Sequence, residues 1–182
     1  MMHLISARGQ QVSREEFCAL IASQQSLTLK EDSDFFEHGY LESAEIDISD
    51  NDDPHWCNRK ISFVRAKDLQ PKDLTGASDP YVTVYGGKRK KKSSVKSVNL
   101  NPVWNEVRTI IWDGKTDLCF VVSDYERIGG SDRMGGLVMP ARIVSKGFSG
   151  TVPLFDGRED YRPTVYKPTL TIKVEHVGAD GC

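Results

Sequence analysis

Long apolar runs are missing from this chain. Nothing in its 182 residues approaches the ~18–20 consecutive apolar residues that a membrane-spanning helix needs. Cysteine is sparse: Cys18, Cys57, Cys119 and Cys182 stand far apart and form no C-x-x-C pair. The four histidines, His3, His38, His55 and His176, fall at no metal-binding interval with one another or with cysteine. Gly-x-Ser-x-Gly, a phosphate loop and a dinucleotide fingerprint are all absent. These gaps point away from hydrolases, nucleotide enzymes and zinc proteins, and toward a binding module that performs no chemistry. The first residues lack the basic start and long apolar core of a secretory signal. On that reading the cysteines are expected to be free thiols in a reducing cytosol, with Cys119 a small core residue. Cys182 closes no prenylation box.

The composition, 38% hydrophobic and 27% charged, is that of a globular protein. The net charge of −2 conceals two unlike parts. Residues 1–56 hold 12 acidic and 3 basic side chains, an excess of nine negative charges. Residues 57–182 hold 21 basic and 14 acidic side chains, an excess of seven positive charges. Within the acidic part, Ser13-Arg-Glu-Glu16 has the form of a capping box, and Phe17, Leu20 and Ile21 follow at helical spacing. A short helix is expected over about 13–24. Lys30 to Pro54 is acidic and irregular, with one edge-strand pattern at Glu45-Ile-Asp-Ile-Ser49. Asp34 to Glu45 matches some EF-hand offsets, but Phe36 and His38 occupy ligand positions where neither coordinates calcium. The same stretch has a slight likeness to an acyl-carrier serine site at Ser43, without the helix that should follow.

Beyond residue 58 the pattern changes to short runs rich in Val, Ile, Tyr and Phe, separated by turn residues. Strands are expected near 60–66, 80–86, 93–98, 104–112, 118–123, 134–140, 149–154 and 168–177. Gly86-Gly87, Asn101-Pro102 and Gly129-Gly130 mark turns. The fold class is therefore all-β: an eight-stranded antiparallel sandwich with a short N-terminal helix and an acidic arm. The expected division is an extension over 1–57, a sandwich domain over 58–178 and a tail over 179–182. Trp104, Tyr81, Tyr85 and Phe120 are expected in the core; Trp56 and Trp112 are open.

Two loops in this body crowd carboxylates with little local positive charge. Asp73 and Asp79 bracket one; Asp124, Glu126 and Asp132 lie along the other. Such crowding is unfavourable unless the groups are solvated, protonated or bound to a cation. Oxygen ligands on flexible loops suit a hard cation, calcium above magnesium or zinc. The plainer reading is that Asp and Gly populate exposed turns, and Asp79 before Pro80 also suits a turn start. The densest basic run is Lys88, Arg89, Lys90, Lys91 and Lys92, with Lys96 close by. It could be a solvated hairpin that blunts a sheet edge or a patch for anionic lipid. No aromatic platform or nucleic-acid motif accompanies it, so nucleic acid is not an expected partner.

Ile61–Leu69, Gly76-Ala-Ser-Asp-Pro-Tyr-Val82, Leu100-Asn-Pro-Val-Trp-Asn-Glu106 and Val121-Val-Ser-Asp-Tyr-Glu126 stand in order and at spacings that resemble the C2 domain. The resemblance covers roughly residues 58–178. It implies a module that binds calcium and phospholipid, and Asp73, Asp79, Asp124, Glu126 and Asp132 fall on the family's five calcium-ligand positions. It also implies that Leu74 and Ile128 enter the bilayer, with Arg127 meeting a lipid phosphate. The lysine run would meet phosphatidylserine or phosphoinositides. A final strand at 168–177 favours the permuted C2 topology, in which Ile61–Ala66 is the first strand. Glu126 is a departure, since calcium-binding members usually carry Asp there. The expected function is calcium-dependent recruitment from the cytoplasm to an anionic membrane surface. The alternative is a calcium-independent interaction or regulatory module of a larger lipid-signalling or ubiquitin-ligase enzyme.

Overall fold

The computed structural model describes residues 4–5, 11–12, 19, 56–71, 78–126, 131–155 and 166–177. Two short strands, β1 (Leu4–Ile5) and β2 (Gln11–Val12), pair antiparallel. Eight strands then follow: β3 (Cys57–Lys67), β4 (Pro80–Gly86), β5 (Arg89–Lys92), β6 (Val103–Trp112), β7 (Leu118–Asp124), β8 (Arg133–Met139), β9 (Phe148–Pro153) and β10 (Thr169–His176). One helix, α1 (Ala141–Lys146), lies between β8 and β9. The expected helix over 13–24 lies outside the described residues except at Ala19, which is helical; the edge strand at 45–49 and the Gly129-Gly130 turn also lie outside them.

The eight strands form two four-stranded antiparallel sheets, ordered β6-β3-β10-β9 and β5-β4-β7-β8. The strand preceding the first acidic loop thus begins the sandwich, and the last strand lies beside it, as the permuted topology requires. Alternation drives the first sheet: Ile61 and Phe63 on β3, and Leu170, Ile172 and Val174 on β10, turn inward. They meet Val82, Val84, Phe120 and Val122 of the second sheet.

One irregularity keeps this alternation useful. Against β10, Val64 is an extra residue on β3, and pairing jumps from Phe63 to Arg65; against β6 the extra residue is on β6, where Trp104 and Asn105 stand opposite Val64. The bulge restores Arg65 to solvent and Ala66 to the interior. Opposite it, Asn105 takes a positive φ of 50°, which Asn tolerates better than most residues.

The third sandwich strand departs from the expected span of 93–98. Gly86 pairs with Arg89, leaving a two-residue loop at Gly87–Lys88, and Gly87 supplies the positive φ of 57° that such a turn needs. The chain therefore turns back earlier, and the lysine run itself is the strand. Helix α1 was not expected. It begins after Pro140, where Asp117 Oδ1 accepts from the Ala141 N–H at 2.8 Å, and ends at Gly147, whose φ is 82°.

Cysteine chemistry also differs from the sequence reading. Cys57 and Cys119 are both disulfide-bonded, so the free-thiol expectation fails at each described cysteine. Cys119 is buried, yet its side chain lies on the outer face of the second sheet rather than in the core cluster. Tyr81 and Tyr85 alternate with the inward Val82 and Val84 on β4 and so share that outer face; Tyr81 is buried there, as expected, whereas Tyr85 is only half-buried, and neither joins the central cluster. Trp104, Trp112 and Phe120 are in the core, whereas Trp56 is 55% exposed.

Candidate functional site

Pairing of β4 with β7 sets the geometry of the acidic end. Pro80 lies opposite Asp124, so the loop before β4 and the loop after β7 leave the sheet side by side. Backbone and side-chain bonds then bind the two loops together. Asp124 Oδ1 accepts from the Asp79 N–H at 2.6 Å, and the Asp79 carbonyl accepts from the Tyr125 N–H at 3.0 Å. The Asp132 carbonyl accepts from the Asp124 N–H at 2.7 Å, drawing in the far side of the second loop. Asp79 Oδ1 accepts from the Val98 N–H at 2.8 Å and so steadies the turn that carries residues 97–101. This supports the turn-building reading of Asp79.

Burial ranks the acids. Asp124 is 1% exposed, Asp79 is half-buried, and Glu126 and Asp132 are exposed. Asp124 Oδ2 is buried and has no hydrogen-bond partner. An orphaned carboxylate oxygen in a dry setting costs about 1–3 kcal/mol unless something compensates it. A hard cation is a fitting complement to a carboxylate oxygen. Among the described residues no three His, Cys, Asp or Glu side chains are gathered as a closed metal cage. Asp73, Leu74, Arg127 and Ile128 lie outside the described residues.

The basic run lies on the edge strand β5, where Arg89, Lys90, Lys91 and Lys92 are all exposed. Lys88 is exposed in the hairpin loop, and Lys96 is half-buried, its N–H bonded to the Pro80 carbonyl at 3.0 Å. Lys90 and Lys92 pair with Tyr85 and Thr83, placing them on the outer face of the second sheet. Two aromatics that the sequence reading did not assign touch this patch or the acidic end. The Trp56 ring receives Arg89 at 4.1 Å from its centroid, and Tyr125 is 47% exposed beside Asp124. Their sequence signal was slight: an aromatic just outside a strand is unremarkable until its exposure is known.

A family model described as the C2 domain matches residues 57–153. The chain belongs to the C2 domain family. Curated relatives of the C2 region include Synaptotagmin-3 of Arabidopsis thaliana, 40% identical over 92 residues, which are 48% of this chain and 17% of that protein. Synaptotagmin-11 of Mus musculus is 35% identical over 148 residues, 75% of this chain and 32% of that protein. The chain therefore spans less than a third of the length of either. Among solved structures, a single C2 domain of plant Extended Synaptotagmin 1 superposes with a TM-score of 0.53 at 30% identity, covering 65% of this chain and 92% of that one. The calcium-bound tandem C2 domains of Extended-Synaptotagmin 2 give 0.55 at 28% identity, over 66% of this chain and 45% of that one. In this C2 sandwich the acidic loops and α1 mark opposite ends.

That opposite end holds a charge that the sequence reading missed. Arg59 is 1% exposed, its Nε donates to the Val144 carbonyl of α1 at 3.3 Å, and its guanidinium lies 4.7 Å from the Trp112 ring centroid. Burial lowers its pKa below the ordinary arginine value. Only alternation could have exposed it, since Arg59 shares the inward register of Ile61 and Phe63.

Proposed function

We propose that this C2 domain binds calcium through Asp73, Asp79, Asp124, Glu126 and Asp132 and thereby docks on anionic phospholipid. The orphaned Oδ2 of buried Asp124, at the junction of the two acidic loops, carries this reading. The calcium-bound state of the Extended-Synaptotagmin 2 neighbour supports it. A bound calcium ion would neutralise the carboxylates and offer open coordination positions to lipid phosphate. Asp124 is positioned to hold it, with Asp79 and Asp132 drawn close by the loop bonds and Glu126 reaching from the exposed side. Leu74 and Ile128 would then enter the bilayer, with Arg127 at a phosphate. Lys88, Arg89, Lys90, Lys91, Lys92 and Lys96 add attraction to phosphatidylserine or phosphoinositide headgroups. The protein acts as a peripheral membrane module that performs no catalysis, recruited from the cytoplasm when calcium rises. The cytoplasmic placement draws nothing from free thiols, since both described cysteines are bonded.

Sedimentation with phosphatidylserine vesicles tests this. Binding in calcium and release in chelator are expected; equal binding in both refutes calcium dependence. A second reading has one observation in its favour. Val103, Val107 and Ile111 form a half-exposed apolar stripe along the outer side of edge strand β6, 51%, 47% and 44% exposed. Such a stripe suits a protein contact, as in an interaction or regulatory module of a larger lipid-signalling or ubiquitin-ligase enzyme. Absence of vesicle binding in calcium would favour it.

A further inference from the structure

Asp68, Val98 and Asn105 are the non-glycine residues of positive φ among the described residues, at 54°, 54° and 50°. Asp and Asn enter this left-handed region with modest strain, because their short polar side chains bond locally. Valine is branched at Cβ, the atom that this conformation crowds against the carbonyl oxygen, so Val98 is a genuine backbone outlier. Its surroundings enforce the conformation. The Val98 N–H donates to Asp79 Oδ1 at 2.8 Å, and the Asn99 N–H donates to the Ser78 carbonyl at 2.9 Å. The Asn101 N–H donates to Asn99 Oδ1 at 2.8 Å. Residues 97–101 are thereby laid against residues 78–79, at the acidic end of the sandwich.

Nothing within the fold offsets this strain. Val98 is 74% exposed, the highest value among the large apolar residues described, and it takes no part in the core cluster. Asn or Gly would adopt the same φ with less strain. A single exposed valine needs no explanation. One held at a positive φ does, and strain of this kind gathers at functional sites.

The neighbours of Val98 narrow the choice of contact. The Asp79 carbonyl accepts from the Tyr125 N–H at 3.0 Å, and Tyr125 is 47% exposed. Val98 and Tyr125 are thus tied to one residue, whose own N–H goes to buried Asp124. Around Val98 the chain is polar, with Ser97 and Asn99 exposed. A protein interface is built on a well-packed apolar centre, which isolated tips do not supply. A bilayer surface needs only apolar tips at shallow depth and aromatic rings at headgroup level.

We infer that Val98 is a membrane-inserting tip, carried by the segment between β5 and β6, and that it enters an anionic bilayer with Tyr125 at the headgroups. This rests on the proposed docking of the acidic end. It adds a contact from a segment, residues 93–102, that contains no acidic residue of its own.

The test uses the full chain with phosphatidylserine vesicles in calcium. Val98→Asn accepts the positive φ with less strain and removes the apolar tip, so stability and binding should move in opposite directions. In chelator the variant is expected to melt at or above the wild-type temperature. In calcium it is expected to sediment with about tenfold lower affinity, the loss of one shallowly buried valine. Val98→Phe, which keeps an apolar tip, is expected to match or exceed the wild type. Wild type and Val98→Asn binding vesicles equally overturns the tip and leaves the calcium reading standing. Wild type that ignores vesicles in calcium overturns both. A melt of Val98→Asn well below wild type, or binding by Val98→Phe as weak as by Val98→Asn, also overturns the tip. Calcium titration without vesicles should give equal affinities, because the N–H that bonds Asp79 is kept; a matching loss there would assign the effect to the ion site and overturn the inference.

Discussion

The buried carboxylate of Asp124 accepts the backbone N–H of Asp79, 45 residues earlier in the chain, at 2.6 Å. One oxygen thereby joins two loops while the other is left without a hydrogen bond. The same residue is both fastener and prospective ligand, and substitutions must be chosen to separate these roles.

Asp124→Asn does so, because the amide oxygen can still accept from Asp79 while the charge is lost. In chelator the variant should melt at or above the wild-type temperature, since carboxylate crowding is relieved. In calcium the wild type should gain about 2.7 kcal/mol at a hundredfold excess over Kd, and the variant little. Thermal melts under both conditions check this; a wild-type melt indifferent to millimolar calcium refutes the site.

Glu126→Asp shortens an exposed carboxylate by one methylene and restores the residue usual at this position in calcium-binding members of the family. Calcium affinity should rise severalfold by isothermal titration. An unchanged or weaker affinity would mean that the loop is shaped around Glu.

Arg59 offers a stability test remote from the loops. Its Nη2 is buried without a hydrogen-bond partner, so the charge is incompletely compensated. Arg59→Met keeps the volume against Trp112 and should be neutral or stabilising by about 1 kcal/mol. Arg59→Ala opens a cavity and should cost about 2–3 kcal/mol. Urea unfolding separates the two.

Glu106 should make stability depend on acid. Burial works to raise its pKa, but the Ser94 hydroxyl and N–H and the Arg108 guanidinium outweigh it, and the net shift is downward. A depressed folded pKa gives stability that is present above the unfolded value, about 4.3, and is lost as pH falls through the folded one. Solvent partly screens the pair with Arg108, so Glu106→Gln should cost about 1 kcal/mol at pH 7. The deficit should shrink toward pH ~3, below the unfolded value. Unfolding curves at the two pH values give the comparison.

Much of this was legible in the residues. Ile61, Phe63, Leu170, Ile172 and Val174 announced their strands by alternation, and Asp124 announced its loop by crowding beside a strand end. What escaped did so for physical reasons. The strand expected at 93–98 falls earlier, because the Gly86-Gly87 hairpin turns the chain back at once and makes Arg89–Lys92 the edge strand, where every side chain reaches solvent. Helix α1 is only six residues long, too short for periodicity to register, although Pro140 and Gly147 bracket it. Cys119 sits in an apolar run that is buried on both faces, so the sequence could not tell inside from outside.

The position of β10 has a consequence for synthesis. It lies between β3 and β9, so residues 169–176 supply an interior strand of the first sheet although they are translated after the sandwich's other strands. A nascent chain that has reached only β9 has no ladder partner for one side of β3 and presents two bare strand edges. The second sheet has all four of its strands in hand well before then. Its β5-β4-β7-β8 half can pair while the ribosome is still at work, as can β3 with β6, but the other edge of β3 and the whole of β9 must wait for residues 169–176 to emerge. Arrival of that strand, rather than collapse, should set the moment at which this domain completes. The waiting edges are where a premature encounter between two nascent chains would begin.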